Sequence, residues 1–192
     1  GDGYDDVLVG SMYTDGPSSR NKAGVVYVVF GRSTSITDID LSTVTSSTDH
    51  GFAIYGENNN ENLGASVSSA GDFNGDGLLD LIVGASDGRD LSGDRDDFGT
   101  AYVLFGPHTG ASDIDLYTFS FNTSTGFKIY SAHSSSSCGV AVASAGDFNN
   151  DGFDDVLIGC DRYNSYMGAL HLVYGSSQQS SSIILGPSGV SS

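Results

Sequence analysis

Basic side chains are scarce in this sequence. Seven Lys and Arg stand against 24 Asp and Glu in 192 residues, a formal net charge of −17 at neutral pH. So acidic a chain repels phosphate, which excludes nucleic acid as a partner, because that recognition needs basic surface. Trp is absent, and there are only two Cys, two Met and three Pro. No apolar run nears the ~18 residues that a membrane-spanning helix needs. No leader is visible; the sequence starts without Met and inside a motif, which predicts a processed chain or a fragment. The Gly-rich stretches are acidic and so unsuited to cradling a phosphate. His50, His108, His133 and His171 recur at no common spacing, no Ser/His/Asp order is visible, and no Arg-Gly-Asp triplet occurs. No catalytic residue is assigned.

What the chain has in quantity is Gly, 27 residues of it, with abundant Ser and Thr. That composition suits many short strands joined by tight turns. One stretch occurs twice in full, as Asp72-Phe73-Asn74-Gly75-Asp76-Gly77-Leu78-Leu79-Asp80 and as Asp147-Phe148-Asn149-Asn150-Asp151-Gly152-Phe153-Asp154-Asp155. The chain opens on the back half of a third copy, Asp2-Gly3-Tyr4-Asp5-Asp6. Oxygen-bearing side chains at positions one, three, five and nine can converge if the loop curls. The glycine at position six permits the sharp turn, and position seven offers a backbone carbonyl. A set of hard oxygens, mostly carboxylate, suits Ca²⁺ better than Mg²⁺, which demands strict octahedral geometry. With no His or Cys in the loops, zinc is disfavoured. The expected ligands are Asp72, Asn74, Asp76, the Leu78 carbonyl and Asp80, then Asp147, Asn149, Asp151, the Phe153 carbonyl and Asp155. Asp2, the Tyr4 carbonyl and Asp6 would form a third, partial site. An EF-hand is excluded, since position twelve is Val83 or Ile158 rather than Glu.

Both loops run into short apolar segments closed by Gly, 78–84 and 153–159, and follow small alternating segments, 65–71 and 140–146. Each loop therefore reads as the link of an antiparallel strand pair. Gly3, Gly77 and Gly152 mark one position of a repeat of about 75 residues. Third strands are expected at 23–31, 99–106 and 168–175, and fourth strands at 51–56 and 126–131, with Ser182–Gly186 a shorter candidate in the last unit. The blade-like units are 1–61, lacking its first strand, 62–136 and 137–192. Four antiparallel strands per repeat predict an all-β chain of β-propeller type with about three blades. A β-sandwich explains the strands but not the self-similarity.

The run Leu63-Gly64, Ala70-Gly71-Asp72 through Gly77, and Asp80-Leu81-Ile82-Val83-Gly84-Ala85 resembles the FG-GAP repeat of integrin α-subunit β-propellers and their relatives. The likeness covers essentially the whole chain in three units. The Phe-Gly of the repeat's name is here Leu63-Gly64 and Cys138-Gly139, and its Gly-Ala-Pro is Gly84-Ala85-Ser86 and Gly159-Cys160-Asp161. The resemblance implies Ca²⁺ loops between the inner two strands of each blade, and rings of generally seven blades. Three units do not close such a ring. The expectation is a piece of a longer propeller or an assembling subunit rather than a self-contained monomer.

Cys138 and Cys160 fall at neighbouring ends of the third unit's first two strands, as a cross-strand disulfide or as two buried thiols. A bridge fits secretion, as does the sequon Asn122-Thr123-Ser124. The function expected is non-enzymatic: an extracellular or cell-surface, adhesive or structural Ca²⁺-binding scaffold for a protein or glycan ligand, or for assembly into a ring or filament. The alternatives are an accessory propeller of a secreted hydrolase or phospholipase, and a lectin.

Overall fold

The computed structural model describes residues 3–33, 38–45, 50–89, 92, 98–108, 112–186 and the backbone of 190–191. Strands dominate and form three sheets. In the first, β1 (Val7–Ser11), β2 (Val25–Val29) and β3 (Gly51–Tyr55) pair antiparallel in chain order. The second runs β4 (Leu63–Gly71), β5 (Asp80–Ala85), β6 (Thr100–Leu104) and then β8 (Gly126–Ser131), again antiparallel. In the third, β9 (Cys138–Gly146) pairs β10 (Asp155–Cys160), which pairs β11 (Ala169–Val173).

Each sheet also carries a short parallel strand on its outer side. β7 (Ile114–Asp115) joins β3, β12 (Ser182–Leu185) joins β8, and β13 (Val190–Ser191) joins β11. The strand at Ser182–Leu185 therefore lies in the second sheet, not in the third where the sequence reading places it. The reason is periodic. Ile183-Ile184-Leu185 follows Gly175 at the distance by which Ile114-Asp115-Leu116 follows Gly106. Both segments cross back to latch onto the outer strand of the preceding sheet, burying Leu116 and Leu185.

Neighbouring residues of a strand point to opposite faces, and both faces of the second sheet are covered. Val83, Ala85, Tyr102 and Leu104 meet Val26, Val28, Phe52 and Ile54 of the first sheet. Ile82, Ala101, Val103, Phe127 and Ile129 meet Val156, Ile158 and Val173 of the third. Double burial explains why β5 and β6 read as unbroken apolar runs. Near the inner strands the sheets touch backbone to backbone. A Cβ on Gly84 would collide with the Gly139 carbonyl, and one on Gly10 with that of Gly64. Ser66 Oγ donates to the Gly139 carbonyl at 2.8 Å across the same seam.

Candidate metal centre

The two complete loops bridge β4 to β5 and β9 to β10, at the same end of adjacent sheets. Their ninth residues open β5 and β10 and are wholly buried. Asp80 Oδ1 accepts from the Gly106 amide at 2.9 Å, and Oδ2 from the Phe73 amide at 3.0 Å. Asp155 repeats this with the amides of Gly175 and Phe148, both at 2.9 Å. Asp6 keeps half of the device, accepting from the Gly31 amide at 2.9 Å. Position nine thus ties the loop to the end of the third strand. Burial pushes the Asp80 carboxyl up to about 6, against the pull of the Gly106 and Phe73 amides, with Asp76 raising it further.

The rest of each loop is a ladder of side chains that accept from backbone amides two to five residues on, the local bonding that Asp and Asn favour in turns. The Gly77 amide donates to Asp72 Oδ2 at 3.0 Å, the Asp76 amide to Asn74 Oδ1 at 3.0 Å, and the Leu78 amide to Asp76 Oδ1 at 2.8 Å. In the second loop Gly152 donates to Asp147 Oδ2 at 2.9 Å, Asp151 to Asn149 Oδ1 at 3.0 Å, and Phe153 to Asp151 Oδ1 at 3.0 Å. Tyr4 and Asp6 are exposed at the corresponding corner of the first sheet; Asp2 lies outside the described residues.

The donor set fits a hard cation. Asp72 Oδ1 is buried and has no hydrogen-bond partner, which is costly for a carboxylate oxygen unless a cation or donor meets it. Among the described residues, the only three His, Cys, Asp or Glu ligand atoms within 4.8 Å of one another belong to Cys138, Cys160 and His171. In neither loop do the three carboxylates come that close together, and Asp80 and Asp155 each accept two backbone amides. Oxygens on opposite sides of a Ca²⁺ lie about 5 Å apart, so Asn74, Asn149 and the carbonyls of Leu78 and Phe153 are needed to complete each set. The sulfur cluster is no metal centre, since Cys138 and Cys160 are bonded to each other at 1.99 Å. They pair in register, where Leu63 and Ala85 pair in the second sheet. Asn122 is exposed in the turn before β8, its side-chain amide donating to the Ser120 carbonyl at 3.2 Å.

The backbone anchoring of Asp80 and Asp155 was missed in the sequence. The available signal was a glycine closing every third strand, Gly31, Gly106 and Gly175, where positions seven and eight of the loop (Tyr4 and Asp5, Leu78 and Leu79, Phe153 and Asp154) crowd the place of a side chain.

Comparison with known proteins agrees with this geometry. The FG-GAP repeat model matches residues 63–104 and 139–173. Integrin alpha-4 of Xenopus laevis is 33% identical over 113 residues, 59% of this chain and 10% of that protein. Integrin alpha pat-2 of Caenorhabditis elegans is 32% identical over 84 residues, 44% of this chain and 6% of that protein. The phosphatidylinositol-glycan-specific phospholipase D of Mus musculus is 34% identical over 116 residues, 58% of this chain and 13% of that protein. The chain thus spans about a tenth of the length of these relatives. Stacked antiparallel sheets carrying this repeat are blades of a β-propeller-type fold. No helix among the described residues is long and apolar enough to cross a membrane.

Proposed function

This chain carries FG-GAP repeats, and from that premise we propose that it is a non-enzymatic, Ca²⁺-stiffened propeller segment of an extracellular or cell-surface protein, adhesive or structural in role. The observation that carries the reading is the buried, unpartnered Asp72 Oδ1 inside an all-oxygen loop. Asp72, Asn74, Asp76, the Leu78 carbonyl and Asp80 would hold one ion; Asp147, Asn149, Asp151, the Phe153 carbonyl and Asp155 a second; Asp6 and the Tyr4 carbonyl, with Asp2, part of a third. A bound Ca²⁺ supplies two positive charges against the three carboxylates of each complete loop. The loops hold shape: they fix the turn between the inner strands and, through Asp80 and Asp155, the end of the third strand. With a Kd of about 0.1 mM and about 1 mM Ca²⁺, each site adds about 1.4 kcal/mol. At cytosolic Ca²⁺ it adds almost nothing, which suits an extracellular setting, as do the Cys138–Cys160 bridge and a glycan on Asn122. The partners would be a protein or glycan ligand on the blade loops, or neighbouring blades. Calorimetric titration of the full chain with Ca²⁺ tests the reading: two ions with submillimolar to millimolar affinity support it, and no binding at 10 mM overturns it.

A second reading, an accessory propeller beside a secreted enzyme, draws on the likeness to the phosphatidylinositol-glycan-specific phospholipase D. A lectin role is a third. A catalytic domain on the native protein would favour the second, and selective retention on a glycan array the third.

A further inference from the structure

The two complete loops are not independent. Asp154, at position eight of the loop after β9, reaches across to the loop after β4. Its Oδ2 accepts from the Asp72 amide at 2.8 Å, and its own amide donates to the Asp72 carbonyl at 3.1 Å. The carboxylate fills the space where Gly71, at φ +72°, would carry a Cβ, so only glycine admits it. The ring of Phe153 lies over Gly75, where a Cβ would sit 2.5 Å from the ring edge. The Ser176 amide donates to the Phe73 carbonyl at 3.0 Å, adding a third hold on the same loop. Asp154 is no candidate ligand, but it stands between two, Phe153 and Asp155. Whatever fixes residues 153–155 also fixes the backbone of Asp72, whose buried Oδ1 is the first ligand of the other loop.

We infer that the two Ca²⁺ sites are coupled through Asp154, so that filling the loop at 147–155 raises the affinity of the loop at 72–80. Linkage makes the effect reciprocal. The inference rests on the Ca²⁺ reading above. The amides of Gly77 and Gly152, each bonded to a position-one carboxylate, report the two sites separately in ¹H–¹⁵N spectra of the full chain during a Ca²⁺ titration.

In the Asp154→Ala protein the Gly77 midpoint should move about 5-fold to higher Ca²⁺, the lower end of typical coupling, and the Gly152 midpoint should move in the same direction, because the coupling is reciprocal. Asp154→Asn removes the charge but keeps an acceptor and should restore the Gly77 midpoint. Asp151→Asn, a change of ligand in the later loop, should shift Gly77 by the same factor in the wild-type background and not at all in Asp154→Ala. A Gly77 midpoint unmoved by Asp154→Ala and by Asp151→Asn overturns the coupling while leaving the ion sites standing. An Asp154→Asn shift as large as that of Asp154→Ala overturns the hydrogen-bonded route in favour of bulk charge. If neither amide moves at any Ca²⁺ concentration, the Ca²⁺ reading itself falls, and the coupling with it. Should Asp154→Ala not fold, the effect of Asp151→Asn on Gly77 decides alone.

Discussion

The loops at 72–80 and 147–155 share their oxygen-bearing positions and most of their internal hydrogen bonds, yet they sit in different surroundings. The first is overlaid by the following sheet. Phe73 is 0% exposed, packed between Phe105 and Phe127. Gly71 is filled by Asp154 and Gly75 by Phe153. The second has no such cover among the described residues: Phe148 is 68% exposed, and a Cβ on Gly146 would meet nothing within 4 Å. Position four shows the consequence in sequence. It is Gly75 under the Phe153 ring but Asn150 in the open loop, although both adopt left-handed backbone, at φ +75° and +61°. The oxygen-bearing residues are written in the loop itself; how closely the loop is packed is written in the next sheet.

The largest expected break in this comparison is at position two. Phe73→Ala should cost about 3–5 kcal/mol by chemical denaturation, as large aromatic deletions in cores do, whereas Phe148→Ala should stay within about 0.5 kcal/mol. Equal effects would show that the cover over the first loop is not what distinguishes it. Next comes the seam at the base of the strands. Replacing Cys138 and Cys160 by Leu and Ala copies the Leu63–Ala85 pair of the second sheet and should cost about 2–4 kcal/mol. Mass before and after reduction checks the bridge itself. A smaller asymmetry is expected at position four. Gly75→Asn should destabilise by about 1–3 kcal/mol through overpacking against Phe153, while Asn150→Gly should be near neutral; thermal melts of the two proteins decide.

A contrast of another kind, read against pH, concerns Glu61, buried where the third sheet's linker has Ser136. Burial pushes its carboxyl up from 4.5 to about 7, against hydrogen bonds from the Glu57 amide and Asn58. A folded value above the unfolded one means the folded chain binds the proton more tightly. That contribution is full below about pH 4.5 and is lost as pH rises through 7. In chelator, wild-type melting temperature relative to Glu61→Gln should therefore fall between pH 5 and 8; a constant difference would contradict the assignment.

Much of this was legible in the residues. Spacing alone located the turns, their oxygen sets and the strands either side, because ligand geometry and strand alternation are local properties. The register that brings Cys138 opposite Cys160 follows from the same hairpin. What escaped depends on packing between sheets. Ser182–Leu185 looks like any short strand until the Gly106 and Gly175 positions are aligned, and only the stacked fold shows that it latches backward. Asp154 reads as one more acid in an acidic loop; its role exists only because the preceding Gly71 leaves a gap for it. The double anchoring of Asp80 is likewise invisible, since its amide donors are Phe73 next door and Gly106 at the far end of β6.

The most direct measurement of the central claim is calorimetric melting of the full chain in 1 mM Ca²⁺ and in excess EDTA. Two filled loops predict a stability higher by about 3 kcal/mol with the ion, two increments of about 1.4 kcal/mol, and a melting temperature several degrees lower in chelator. Superimposable transitions in the two buffers would contradict it.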